Sequence, residues 1–166
     1  HSPSRRQRQM CIRDRLDLVL SELWSKKPPN NILKDKNEAL ILASIIEKEA
    51  GNDNEKSLIA SVFLKRIEIG MRLQADPTII YGLLPNFDGD IKKSDILDKN
   101  NPYNTYMIKS LPPTPIAIPS LTSIEAAVLS TPGEYLFFVA NTPTSHYFSK
   151  TYDEHLSMIK TLGLNK

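Results

Sequence analysis

Residues 41–51, ILASIIEKEAG, set an acid into an apolar helical stripe. At about 100° per residue, Leu42, Ile45, Ile46 and Glu49 follow the i, i+3, i+4, i+7 spacing of one face. Glu47 falls about 160° around the helix from Glu49, among Leu40, Ala43 and Ser44. Only one of the two glutamates can look into whatever that stripe packs against. A carboxyl held against apolar walls resists ionisation, so its pKa rises, which suits a general acid working near neutral pH. The plain alternative for a Glu near a helix end is solvation, or a pair with a neighbour such as Lys48.

The elements around this stripe follow from caps and periods. Asp35 or Asn37 can N-cap the Glu49 helix and Gly51 can terminate it. A second helix is expected from about Asn54 to Ile69, with Leu58, Val62, Ile67 and Ile69 among its apolar positions and Gly70 at its end. MRLQADPTIIYGL, residues 71–83, reads as a loop and a short helix entered at Asp76-Pro77. Residues 84–119 are rich in Pro, Asn, Asp and Gly, show no long period and contain Asn101-Pro-Tyr-Asn-Thr-Tyr106. Irregular stretches of that length in small domains are often functional. Ser120 or Thr122 can cap a short helix through Leu129. Tyr135–Ala140, YLFFVA, reads as a buried strand, and His146–Lys150 as its partner across a turn containing Pro143. Thr151–Leu162 reads as a final helix. The fold class is α+β, mainly α, with one small β-hairpin.

Upstream, Leu16–Trp24 reads as the end of a helix, and KKPPNN, residues 26–31, breaks it. Residues 16–34 thus read as a truncated preceding element and linker, and 35–166 as the main domain. The first fifteen residues, HSPSRRQRQMCIRDR, resemble translated sequencing-adaptor sequence and are expected to be a non-native or disordered tail. They hold five Arg and one Asp, net +4, so the remainder carries −2 against +2 for the whole chain. The basic balance therefore belongs to the tail, and no basic patch with interleaved aromatics follows it, which argues against nucleic acid as a partner. Cys11, the one cysteine, lies in the same tail, so the rest of the chain has neither a disulfide nor a cysteine metal site. No apolar run approaches the roughly 20 residues of a membrane span.

Five blocks in order, LASIIEKEAG (42–51), IASVFLKRIEIGMRLQADPTIIYGL (59–83), NPYNTYMIKSLPPTPIA (101–117), YLFFVA (135–140) and HYFSKTYDEH (146–155), resemble the catalytic domain of the YceG-like family, the MltG-type endolytic murein transglycosylases. The resemblance spans roughly residues 36–160. It implies a lysozyme-like catalytic domain that cuts nascent peptidoglycan glycan strands. It also implies a single-pass anchor in the bacterial inner membrane, absent from this chain, with the catalytic domain on the periplasmic side and peptidoglycan synthases as partners. The family's acid is the second glutamate of the EKE block, here Glu49. The family's LPPGPIANPG becomes LPPTPIAIPS, with Thr114, Ile118 and Ser120 replacing Gly, Asn and Gly, which puts the local loop shape in question.

The implied reaction is non-hydrolytic. Glu49 protonates the glycosidic oxygen between N-acetylmuramic acid and N-acetylglucosamine, and its carboxylate then takes the proton of the muramic C6 hydroxyl, which closes a 1,6-anhydro ring. No cofactor and no metal are implied, and His146 and His155 read as structural or exposed. Gln74, Asp76, Tyr81, Tyr103, Asn104 and Tyr106 are the substrate-binding candidates, since amides and phenols suit sugar hydroxyls and N-acetyl groups. For each there is a structural alternative: Asp76 as a helix cap, Tyr81 as core, and Asn101–Tyr106 as a loop that only holds itself. Two other functions compete. One is a muramidase-type hydrolase with Asp76 as the second carboxylate. The other is a non-catalytic glycan-binding module, which has no need of a costly buried acid.

Overall fold

The computed structural model describes residues 4–164. Helix α1 (Arg5–Ser25) is followed by α2 (Lys36–Glu49), a single 3-10 turn (Asp53–Glu55) and α3 (Lys56–Glu68). Then come α4 (Asp76–Leu83), α5 (Lys93–Leu97), α6 (Leu121–Leu129), the hairpin β1 (Phe137–Thr142) and β2 (Ser145–Ser149), and α7 (Tyr152–Thr161). The fold is α+β and mainly α.

The core lies where α2, α3 and α6 meet. Leu42, Ile45 and Ile46 of α2, Ile59, Phe63 and Leu64 of α3, and Ala127 and Val128 of α6 are shut off from solvent. Asp35 N-caps α2 by accepting the Glu38 N–H at 2.8 Å. Gly70, at φ +70°, terminates α3 in the left-handed conformation that glycine adopts without strain. Ser120 caps α6.

The strand expected as buried over 135–140 runs instead over Phe137–Thr142, half-buried and then exposed, and two readings at helix ends also differ from the structure. Helix α1 runs back to Arg5, beyond the expected start at Leu16. Ser4 and Gln7 form a capping box, with bonds of 2.8 and 3.2 Å, and the Arg, Gln and Met that follow are good helix formers. Residues 1–3 lie outside the described residues. Among the described residues of α1, Leu20 and Leu23 are buried in the core, and Leu16, Val19 and Trp24 pack partly against it. Deleting residues 1–15 is therefore expected to leave the thermal midpoint unchanged within error, as read by calorimetry. A clear drop would show that the first helical turns hold the domain together.

The second difference concerns Gly51. Helix α2 stops at Glu49, and Ala50 is already extended at φ −71°, ψ 127°. Gly51 serves close approach instead: a Cβ there would sit 2.7 Å from the Thr144 backbone in the hairpin turn. Asn52 seals the same junction, its Nδ2 donating to the Thr144 carbonyl at 2.5 Å. The turn that ends the Glu49 helix is thus pinned to the tip of the hairpin.

The hairpin is antiparallel, with Phe138 opposite Phe148 and Ala140 opposite His146. These four residues share one face, since side chains alternate along a strand. Phe138 meets Phe63 edge-on, with ring centres 5.7 Å apart, which docks that face on the core. Helix α7 covers the other side, where His155 stacks on Phe137 at 5.2 Å.

Candidate active site

The fold brings five segments to one cleft of about 240 Å³. Its walls are Glu49 from the end of α2, Arg66 from α3, Gln74 and Asp76 from the entry into α4, where Asp76 is the first helical residue, Tyr106, and Phe138, Val139, Ala140 and His146 from the hairpin.

Glu49 is half-buried, with its carboxyl set deep among protein atoms at the cleft floor. Among the described residues it accepts no hydrogen bond from protein. Desolvation first, and the nearby Asp76 second, push its pKa from 4.5 up to about 8, against the weaker pull of Arg66. As the last residue of α2, Glu49 also sits at the negative end of the helix dipole, which opposes ionisation further.

Glu47, two residues away, has the opposite environment. Burial alone would raise its pKa, but hydrogen bonds outweigh that and hold it at about 2. Ser120 donates its hydroxyl at 2.6 Å and its backbone N–H at 3.0 Å, Ser123 donates its hydroxyl, and Lys56 lies 3.4 Å away. Glu47 is thus an ionised anchor tying α2 to the start of α6. Two carboxyls on one helical turn are driven apart in pKa by what surrounds them, the pattern that separates an acid from a structural carboxylate.

Glu47→Gln is therefore expected to cost about 1–3 kcal/mol in stability, since it weakens charge-assisted bonds to Ser120, Ser123 and Lys56. The group's folded pKa is depressed. Its contribution is therefore present above the unfolded value of 4.5 and lost as pH falls through about 2. Denaturant titration at pH 7 and pH 2 should show the variant and the parent converging at the acid end.

Gln74 lies at φ +52°, in the left-handed region that non-glycine residues rarely occupy. Its surroundings impose that conformation. The Gln74 N–H donates to the Thr105 carbonyl at 3.1 Å, the Ala75 N–H to Thr105 Oγ1 at 2.9 Å, and Arg66 Nη1 to the Leu73 carbonyl. The result aims an exposed amide into the cleft. Such strain, over-determined by its neighbours, is typical of functional loops. Tyr106 donates its hydroxyl to Asp76 Oδ1 at 2.7 Å. Burial first, and that bond second, keep the phenol well above its usual pKa.

Of the six expected sugar-binding residues, the structure brings Gln74, Asp76 and Tyr106 to Glu49 and keeps Tyr81, Tyr103 and Asn104 out of the cleft wall. Asn104 is fully buried, and its Nδ2 lies 2.8–3.1 Å from the carbonyls of Asp95, Ile96 and Asp98. Its work is to tie α5 to the loop. Tyr81 and Tyr103 pack edge-on at 4.8 Å as a satellite cluster, with the Tyr103 hydroxyl 2.8 Å from Thr114 Oγ1. Asn104 is corrected on geometric grounds, since a fully buried side chain cannot meet a ligand, while Tyr81 and Tyr103 are half-buried and lie outside the walls of this cleft.

Arg66 and His146 were not among the expected site residues. Arg66 completes the buried stripe Ile59, Val62, Phe63, Arg66, the same spacing that singles out Glu49. Its Nε donates to the Leu136 carbonyl at 2.8 Å, and its guanidinium lies over the Phe137 ring at 5.5 Å. Desolvation pulls its pKa down to about 10, against Tyr106 and Glu49, which pull upward. His146 was expected to be structural or exposed, yet it lines the cleft.

The loop substitutions leave the backbone unstrained. Ser120 has φ −71°, and among the described residues Gln74 is the only non-glycine at positive φ, so Thr114 needs no glycine either. Their hydroxyls have found partners, Glu47 for Ser120 and Tyr103 for Thr114. Ile118, 93% exposed, has none.

The YceG-like family model matches residues 4–161, and the chain belongs to that family. The match takes in most of the stretch read as a foreign tail. An endolytic murein transglycosylase of Bacillus subtilis is 40% identical over 116 residues, which is 70% of this chain and 32% of that protein. One of Streptococcus pneumoniae is 33% identical over 144 residues, 84% of this chain and 26% of that protein. The crystal structure of a yceG-like protein from Listeria monocytogenes aligns with a TM-score of 0.67 at 41% identity, over 74% of this chain and 39% of that one. The chain thus spans about a third or less of the curated relatives' length. Among the described residues no helix is long and apolar enough to cross a membrane.

Proposed function

We propose that this domain is the catalytic part of an endolytic peptidoglycan lytic transglycosylase, with Glu49 as its acid and then its base. The observation that carries this reading is the Glu49 carboxyl, desolvated, without a hydrogen bond from the described residues, and holding its proton up to about pH 8 in an open cleft. Glu49 gives that proton to the glycosidic oxygen between N-acetylmuramic acid and N-acetylglucosamine as the C1–O bond breaks. The resulting carboxylate accepts the proton of the muramic C6 hydroxyl, whose oxygen bonds to C1. The proton balance closes on one residue, so no second carboxylate is required. Gln74 and Tyr106 offer an amide and a phenol to sugar hydroxyls and N-acetyl groups. Asp76 holds Tyr106 and, by its negative charge, helps Glu49 keep its proton. The murein transglycosylase relatives support glycan strands as substrate and a site of action outside the cytoplasm. A membrane anchor elsewhere in the longer protein, and synthases that feed it nascent strands, complete the reading.

A second reading, muramidase-type hydrolysis, is favoured by one observation: Asp76 shares the cleft with Glu49. Against it, one Asp76 oxygen is already engaged by Tyr106. Chromatography of products from purified glycan strands separates the two. Anhydro ends that resist borohydride support transglycosylation, whereas ends that borohydride reduces would replace it with hydrolysis. A non-catalytic module would yield no product.

A further inference from the structure

The cleft wall contains a second built pair. His146 Nδ1 lies 2.8 Å from Glu55 Oε2, and the His146 backbone N–H donates to Glu55 Oε1 at 2.9 Å. One carboxylate thus grips both the ring and the main chain of a residue next to the turn of the hairpin. Burial would raise the Glu55 pKa, but the two bonds from His146 outweigh it and keep Glu55 below the usual range. An ionised carboxylate only accepts, so Nδ1 carries the hydrogen. In the neutral ring Nε2 is then a bare acceptor. Strand alternation puts His146 on the same face as Phe138, Ala140 and Phe148, the face turned to the core and cleft, with the Phe138 ring edge-on at 5.4 Å. The ring is thus held on two sides, and it lines the same cleft as Glu49.

We infer that His146, oriented by Glu55, contacts the glycan directly, its Nε2 accepting a hydrogen bond from a sugar hydroxyl in the Glu49 cleft. The chemistry is that of a carboxylate–imidazole pair, in which the carboxylate sets the tautomer and the far nitrogen meets the ligand. Glu55 is then a positioning residue, acting only through the ring. This inference rests on the proposed glycan substrate and adds a hairpin contact to it.

The test is imidazole nitrogen NMR on the full chain carrying Glu49→Gln, titrated with peptide-free strands of alternating N-acetylglucosamine and N-acetylmuramic acid. Before glycan, His146 should show the Nδ1–H tautomer, and Glu55→Gln should weaken that preference. On adding glycan, the His146 Nε2 signal should move together with the Gln74 and Tyr106 amides. In the otherwise native chain, His146→Ala should lower kcat/KM about 10-fold, mostly through KM and beyond what its fall in thermal midpoint explains, and His146→Gln should recover part of the loss. Glycan shifts at Gln74 and Tyr106 with an unmoved Nε2 would overturn the inference and leave the proposed substrate standing. No glycan-induced shift anywhere in the cleft would remove the substrate reading and this contact with it. A fall in midpoint that accounts for the whole activity loss of both His146 variants would assign the pair a purely structural role.

Discussion

Glu49→Gln should reduce glycan cleavage by at least about 1000-fold while making the domain more stable at neutral pH, since the amide keeps the shape and loses the proton. The stability gain follows from linkage. The folded pKa of about 8 lies above the ordinary 4.5, so the folded state binds the proton more tightly than the unfolded chain. Below the unfolded value the group is protonated in both states and contributes nothing. As pH rises from there towards 8, wild-type stability falls, because the unfolded state can ionise and the folded state resists. Glutamine does not titrate, so the variant's advantage should be absent near pH 4 and grow to a few kcal/mol by pH 8. The same proton predicts that wild-type activity falls as pH climbs through about 8. Thermal scans and initial rates across that range check both limbs. A variant that is less stable than wild type at pH 7.5, or that still cuts glycan at a tenth of the native rate, would contradict the assignment.

Arg66→Ala should be among the most damaging single substitutions. It strips the partners from the Leu136 and Leu73 carbonyls, removes the cation from the Phe137 face and opens a cavity where α3 meets the hairpin. Two carbonyls left without partners, together with the cavity, give an expected loss of about 3–5 kcal/mol, or roughly 10 °C in thermal midpoint for a domain of this size. Activity should fall further than unfolding explains. The Arg66 bond to Leu73 helps hold Gln74 at its strained φ, and without the guanidinium the Glu49 carboxyl is left still harder to ionise once its proton has gone to the leaving group. Arg66→Lys keeps the charge but cannot bridge two carbonyls and stack at once, so it should recover only part of the stability. A midpoint within about 2 °C of wild type for Arg66→Ala would show that the junction does not depend on it.

How far the site was legible depends on period. Glu49 and Glu47 could be told apart because α2 is regular, and a residue's face follows from its number. Arg66 obeys the same rule and was legible in principle: a cation completing the stripe Ile59, Val62, Phe63 is as telling as an acid completing Leu42, Ile45, Ile46. The loop residues had no such period. Asn104 and Tyr106 stand two apart in one irregular run, yet Asn104 turns inward to three carbonyls while Tyr106 reaches Asp76. Only the tertiary path of the loop decides that. The place of His146 in the cleft wall is not legible for a related reason. Its partner Glu55 is 91 residues away, so nothing local marks the pair. At the N-terminus the Ser4–Gln7 capping box is legible from residue types at the capping-box spacing, although the net charge of the segment points to a tail.

The most direct test of the account is a carboxyl-carbon NMR titration of the folded chain with both glutamates of the EKE block assigned. The account predicts a Glu49 midpoint near 8 and a Glu47 midpoint near 2, the two separated by their surroundings although they lie on one helical turn. If Glu49 instead titrates at the ordinary 4.5, it is ionised at neutral pH and cannot be the proton donor in this cleft.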